Sequence, residues 1–177
     1  LHLSDWSGFR VQLSTFPELT QSLLPGQFYT EADVKQIIAY ARDRGVRVIP
    51  EIDVPGHARG LSPLIDRGMK FCDTTHTQIL DDAAGVPASL LTMLFTELSF
   101  LFPDKTLHLG GDEAKVSSNG KCTVDTIHSL LEKMQKVVRS LGKTPMGWNE
   151  LFSFPSAASA PNALMPGTVV EDWNKIS

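Results

Sequence analysis

Thr106-Leu-His-Leu-Gly-Gly-Asp-Glu113 runs from a short apolar strand through two glycines into a pair of adjacent carboxylates. Its neighbours on both sides are helices. From about Pro87, Leu90, Leu91, Leu94, Phe95, Leu98 and Leu101 recur at helical spacing. Beyond it, Ile127, Leu130, Leu131, Met134, Val137, Val138 and Leu141 keep the same period until Gly142. A third helix opens earlier, with Thr30 as N-cap and Asp33 completing a capping box. It presents Val34, Ile37, Ile38 and Ala41 on one face and stops at Gly45. All three apolar stripes are expected to face a core.

Four more segments of strand type lie around these helices, at 1–4, 46–52, 145–148 and 168–170. A repeated strand–helix–strand order implies parallel pairing, because each crossover carries the chain back across the sheet. Polar and aromatic residues gather just after the strands: Asp5, then Asp53 and His57, then Asp112 and Glu113, then Trp148 and Glu150, then Trp173. In a parallel barrel these ends share the face where active sites are built. A doubly wound open sheet gathers residues at the same ends, and periodicity alone does not separate the two. Residues 153–166, rich in Ser, Ala and Pro, have the composition of a loop.

The composition narrows the partners. The 177 residues carry a net charge of -4 with no run of Lys or Arg, which argues against nucleic acid. No apolar stretch approaches the roughly 18–20 residues of a membrane span. No Cys/His grouping has zinc spacing and no glycine-rich loop has the spacing of a phosphate cradle, so no metal or cofactor is expected. The two cysteines, Cys72 and Cys122, are equally compatible with free buried thiols and with a disulfide.

The chemistry centres on Asp112 and Glu113. Two ionised neighbours repel, so one tends to keep a proton near neutral pH and can serve as a general acid beside an ionised partner. The preceding strand and glycine pair make this more than a solvated acidic turn, since glycine lets backbone approach a ligand closely. Pro50-Glu-Ile-Asp-Val-Pro-Gly-His-Ala58 contains two prolines and a glycine that stiffen the turn presenting Asp53 and His57. Trp148 and Trp173, at strand ends, are candidate walls for a sugar ring.

Together these motifs resemble glycoside hydrolase family 20, the β-N-acetylhexosaminidases. The similarity rests on HLSD (2–5), FPELT (16–20), RVIPEIDVPGHA (47–58), FPD (102–104), HLGGDE (108–113) and GWNE (147–150), in this order and spacing. It implies a (β/α)₈ TIM barrel, of which the chain would hold roughly strands two to six, truncated at both ends. The family's arginine would precede Leu1, and its tyrosine, further tryptophan and glutamate would follow Ser177. A segment with open sheet edges is expected to fold poorly alone.

The resemblance also implies hydrolysis of terminal β-linked N-acetylglucosamine or N-acetylgalactosamine with retention. The substrate's 2-acetamido oxygen acts as nucleophile, a departure from the two-carboxylate scheme. Glu113 matches the general acid/base and Asp112 the carboxylate that orients the acetamido group. His57 and Asp5 match a relay to the acid, Trp148 and Trp173 match sugar-binding walls, and Glu150 has a supporting place. Trp6 departs from the pattern, since many relatives carry a polar residue there. By the same resemblance Cys72 and Cys122 form a disulfide, the compartment is lysosomal or secreted, and the full-length protein has room for a homodimer. The substrates would be glycoprotein, glycolipid or chitin-type glycans. Two other readings stay open: an inactive carbohydrate-binding relative or non-functional fragment, and a barrel hydrolase using Asp112 as covalent nucleophile.

Overall fold

A computed structural model of the chain describes residues 1–73, 78–79, 84–116, 121–152 and 165–172. In chain order the strands and α-helices are β1 (Ser4–Asp5), β2 (Gly8–Phe9), α1 (Glu31–Arg42), β3 (Phe71–Asp73), β4 (Gln78–Ile79), α2 (Val86–Leu101), β5 (Thr106–His108), α3 (Val124–Ser140), β6 (Thr144–Trp148) and β7 (Val169–Glu171).

Strands β5, β6 and β7 form a parallel sheet in sequence order. Two single bridges extend it: Glu51 pairs in parallel with His108, and His2 pairs in parallel with Glu51. Five segments of the chain therefore lie side by side in the order in which they occur. The paired positions project from a common face, which sets His2, Glu51 and His108 in one row.

Two expected strands are shorter than anticipated. The segment 46–52 narrows to a bridge at Glu51, next to Pro50, which has no N–H to lengthen the ladder. Within 1–4, the parallel contact involves Leu1 to Leu3, through Leu3 N–H to Glu51 O (3.0 Å) and Glu51 N–H to Leu1 O (2.9 Å). The regular strand, Ser4–Asp5, instead turns into an antiparallel hairpin with Gly8–Phe9. The segments at 106–109, 145–148 and 168–170 coincide with β5, β6 and β7 to within a residue or so.

The three helices occupy the expected positions. Thr30 caps α1 with a capping box to Asp33, and Thr123 caps α3 with Thr126. Leu90, Leu91, Leu94, Phe95 and Leu98 of α2 and Leu130, Met134 and Val138 of α3 join Leu107 of β5 and the following Leu109 in one core, with Phe9, Phe16 and Phe102. Each such side chain contributes roughly 1.5–3 kcal/mol by leaving water. The α1 stripe differs. Val34 is fully buried and Ile38 packs against the core, whereas Ile37 and Ala41 line an open groove of about 730 Å³. Trp173 and residues 153–164 lie outside the described residues.

Candidate active site

The loops that leave the carboxyl ends of neighbouring parallel segments converge. Asp5 comes from β1, His57 from the turn after Glu51, Asp112 and Glu113 from the turn after β5, and Glu150 from the turn after β6. His57 stands between two carboxylates. Its Nδ1 lies 2.8 Å from Asp5 Oδ1 and its Nε2 lies 3.1 Å from Glu113 Oε2. Asp112 Oδ2 is 3.9 Å from the same Nε2. With Nδ1–H donated to Asp5, Nε2 is left to accept a proton held by Glu113. Burial pushes the Asp5 carboxyl up, but the Trp6 amide and His57 outweigh it and hold Asp5 below the usual carboxylate range.

Among the described residues, His57 (φ 48°) and Glu113 (φ 49°) are the non-glycine residues in the left-handed region. That conformation is unfavourable for a side-chain-bearing residue and persists where surrounding structure enforces it. The enforcement at Glu113 is visible: its N–H donates to Glu150 Oε2 at 2.7 Å. Glu150 thus holds the backbone of Glu113.

Beside Asp112 lies Asp53, which is fully buried. Its Oδ1 accepts from Gly111 N–H at 2.8 Å, and its own N–H donates to Ser4 Oγ at 3.0 Å. Burial, together with the adjacent Asp112 carboxyl, raises its pKa well above the usual range. Asp53 Oδ2 and Asp112 Oδ1 are both buried without another partner. A proton on Asp53, shared with Asp112, satisfies both. Gly110, at φ +69°, has no room for a side chain, because a Cβ would collide with the Asp53 carboxylate. Asp53, His57 and Asp112 bring one donor atom each within 4.8 Å of one another, a grouping with the composition of a cation site. The shared proton compensates the same charge.

A second polar layer lies one step down the same strands. Glu51 accepts from Trp148 Nε1–H at 2.8 Å, its Oε2 lies 2.9 Å from His2 Nδ1, and its Oε1 lies 3.3 Å from His108 Nδ1. Burial alone would raise the Glu51 pKa, but His108 and His2 reverse the shift and hold it far below the carboxylate range. Glu51 in turn raises His2. Trp148 packs edge-on against His108, with ring centroids 4.9 Å apart.

Asp5, His57, Asp112, Glu113 and Glu150 therefore come together. Trp148 does not join them in the same cleft: it lines a cavity with Glu51, His108 and Glu171, because its indole N–H is drawn toward Glu51. Cys72 and Cys122 are joined as a disulfide, with Cα atoms 5.4 Å apart. Sequence reasoning overlooked Glu51, His2 and His108 and did not foresee the burial of Asp53. The available signal was alternation, since carboxylates at 51 and 53 with apolar residues between them occupy one face of a strand.

Parallel β/α segments that gather an imidazole and several carboxylates at their carboxyl ends define an acid–base site of the barrel class. The chain belongs to glycosyl hydrolase family 20, whose catalytic-domain model matches residues 1–177. The catalytic domain of this family is a TIM barrel. The chain is similar to the β-N-acetylhexosaminidase of Cellulomonas fimi, at 33% identity over 98% of this chain and 36% of that protein. It is 32% identical to β-hexosaminidase subunit beta of Mus musculus, over 97% of this chain and 35% of that one. Among solved structures, the GH20 β-N-acetylhexosaminidase of Streptomyces coelicolor A3(2) superposes with a TM-score of 0.75 at 28% identity, covering 100% of this chain and 37% of that one. The chain spans about a third of the length of these curated relatives. Among the described residues, no helix is long and apolar enough to cross a membrane.

Proposed function

We propose that the protein hydrolyses terminal β-linked N-acetylglucosamine or N-acetylgalactosamine by substrate-assisted catalysis. The observation that carries this reading is the His57 bridge between Asp5 and Glu113, with Asp112 beside it. Glu113 gives its proton to the glycosidic oxygen as the bond from that oxygen to the anomeric carbon breaks. The 2-acetamido oxygen forms the new bond to that carbon, and Asp112 orients the amide and balances its growing positive charge. Water then attacks the anomeric carbon as its bond to the acetamido oxygen breaks, giving a proton to Glu113 and releasing the sugar with retained configuration. Holding the nucleophile within the substrate makes the first step intramolecular, where effective molarity is largest. The Asp5–His57 pair fixes the Glu113 carboxyl.

Residues 1–177 make up roughly the second to sixth strands of the barrel in this reading, supported by five parallel segments in sequence order. Trp148 and Trp173 are assigned to the walls around the sugar, Trp148 being held by Glu51. The disulfide favours a lysosomal or secreted setting, since such bonds persist in oxidising compartments. The substrates are glycans or chitin fragments ending in the N-acetylated sugar, and a homodimer is the assembly proposed for the longer protein.

The test is hydrolysis of an aryl β-N-acetylglucosaminide, with Glu113→Gln as control. A loss of about 10²–10⁴-fold in the variant is the expected result for removal of a general acid. Absence of turnover by the folded wild-type protein would move the reading to a carbohydrate-binding relative.

A further inference from the structure

Beside Glu113 opens a cleft of about 200 Å³ lined by Asp5, Trp6, His57, Gln78, Glu113 and Lys115. Asp112 does not line it. One wall is ionic: Asp5, His57 and Glu113. Another is the indole of Trp6, which is 44% exposed, an unusual amount of open aromatic surface next to three ionisable groups.

The ring is held in place. Trp6 and Ser7 form the two-residue turn between Asp5 and Gly8 of the β1–β2 hairpin. The Trp6 N–H donates to Asp5 Oδ1 at 2.5 Å, the same oxygen that meets His57 Nδ1. Arg10 braces the turn through Ser7 O at 2.6 Å and Gln27 O at 3.1 Å. The Arg59 guanidinium lies over the indole, 5.3 Å from its centroid. Gln78 clasps the opposite rim, donating to Lys115 O at 2.7 Å and accepting from Lys115 N–H at 2.6 Å. Such a preset aromatic surface binds with little ordering of its own.

The position of the cleft determines its contents. In the proposed reaction Asp112 marks the acetamido side of the reacting sugar, while Glu113 must face the departing oxygen. The group attached to that oxygen therefore projects into the space on the Glu113 side, where Trp6 stands. We propose that Trp6 is the stacking platform of a leaving-group subsite, which takes the pyranose ring of the next sugar in a β-linked oligosaccharide. This subsite rests on the hydrolase reading and adds a preference among its substrates.

The experiment compares two substrates in the wild-type protein, Trp6→Ala and Trp6→Phe. One is N,N′-diacetylchitobiose, whose leaving group is a sugar; the other is N-acetyl-β-glucosaminyl fluoride, whose leaving group is too small to reach the indole. The ratio of kcat/KM for disaccharide over fluoride is expected to fall about 3–10-fold in Trp6→Ala, the size of a lost aromatic contact, and to be largely restored in Trp6→Phe. Equal losses on both substrates, or an unchanged ratio, overturn the subsite while leaving the hydrolase reading intact. A wild-type protein that turns over neither substrate overturns the hydrolase reading and the subsite with it. Trp6 lies on an exposed turn and its contact to Asp5 is a backbone N–H, so neither substitution removes that hydrogen bond.

Discussion

Glu51 and Asp53 are two residues apart in one segment beside β5 and are both buried, yet their carboxyl groups shift in opposite directions. Around Glu51 stand the imidazoles of His2 and His108 and the Trp148 indole N–H, which donates to it. Beside Asp53 stands another carboxyl, Asp112, and its side chain accepts from the Gly111 amide. The Glu51 layer compensates charge and ties adjacent strands together. The Asp53 layer places two carboxyls, neutralised in part by one shared proton, where the proposed substrate brings a positive charge. The contrast shows how one segment separates holding the fold from preparing a reaction.

The most forceful way to break the contrast is at Asp112. Asp112→Asn removes the charge assigned to the proposed substrate and the repulsion felt by Asp53. Its kcat on an aryl β-N-acetylglucosaminide is expected to fall about 10²–10³-fold, while thermal melting at neutral pH shifts upward. A variant that loses both activity and stability would contradict the separation of the layers.

Glu51→Ala should act in the opposite sense. It leaves His2 and the Trp148 N–H without their shared partner and removes the carboxylate beside His108, and a loss of about 3 kcal/mol in denaturant unfolding is expected. Unchanged stability would mean that the lower layer does not hold the strands.

The smallest effect lies at Asp53→Asn, which keeps a donor toward Asp112 and an acceptor for Gly111. Because the fold raises the Asp53 pKa, the folded state binds more protons than the unfolded chain once pH exceeds the ordinary carboxyl value of about 4. The stability supplied by its neutral form is complete below that pH and is lost as pH rises through the folded pKa. The melting temperature of Asp53→Asn relative to wild type should therefore climb from about pH 4 upward. A difference that shrinks with rising pH would show Asp53 to be ionised in the fold.

The helices were legible because their signals are local. Thr30 with Asp33, and the leucines of α2, need only neighbours within a few positions to be recognised. Asp112, Glu113, His57 and Asp5 were legible through their places after the strands and through motifs that match a family. What escaped depends on contacts across the sheet. Trp148 stands at a strand end as expected, but the direction of its indole is decided by Glu51, 97 residues earlier. The hairpin at Ser4–Phe9 escaped for a similar reason: its Trp6-Ser7 turn lacks the Asn-Gly or Gly-Gly signature that usually announces one.

Asp5 and His57 are 52 residues apart, and His57 and Glu113 are 56 apart. No short piece of the chain contains two members of the relay. Local helices form on the microsecond scale, whereas contacts between distant segments wait for the chain to close large loops. The relay can assemble only after the parallel segments have found their register. Recovery of turnover after dilution from denaturant therefore marks the end of folding, later than the recovery of helical circular dichroism.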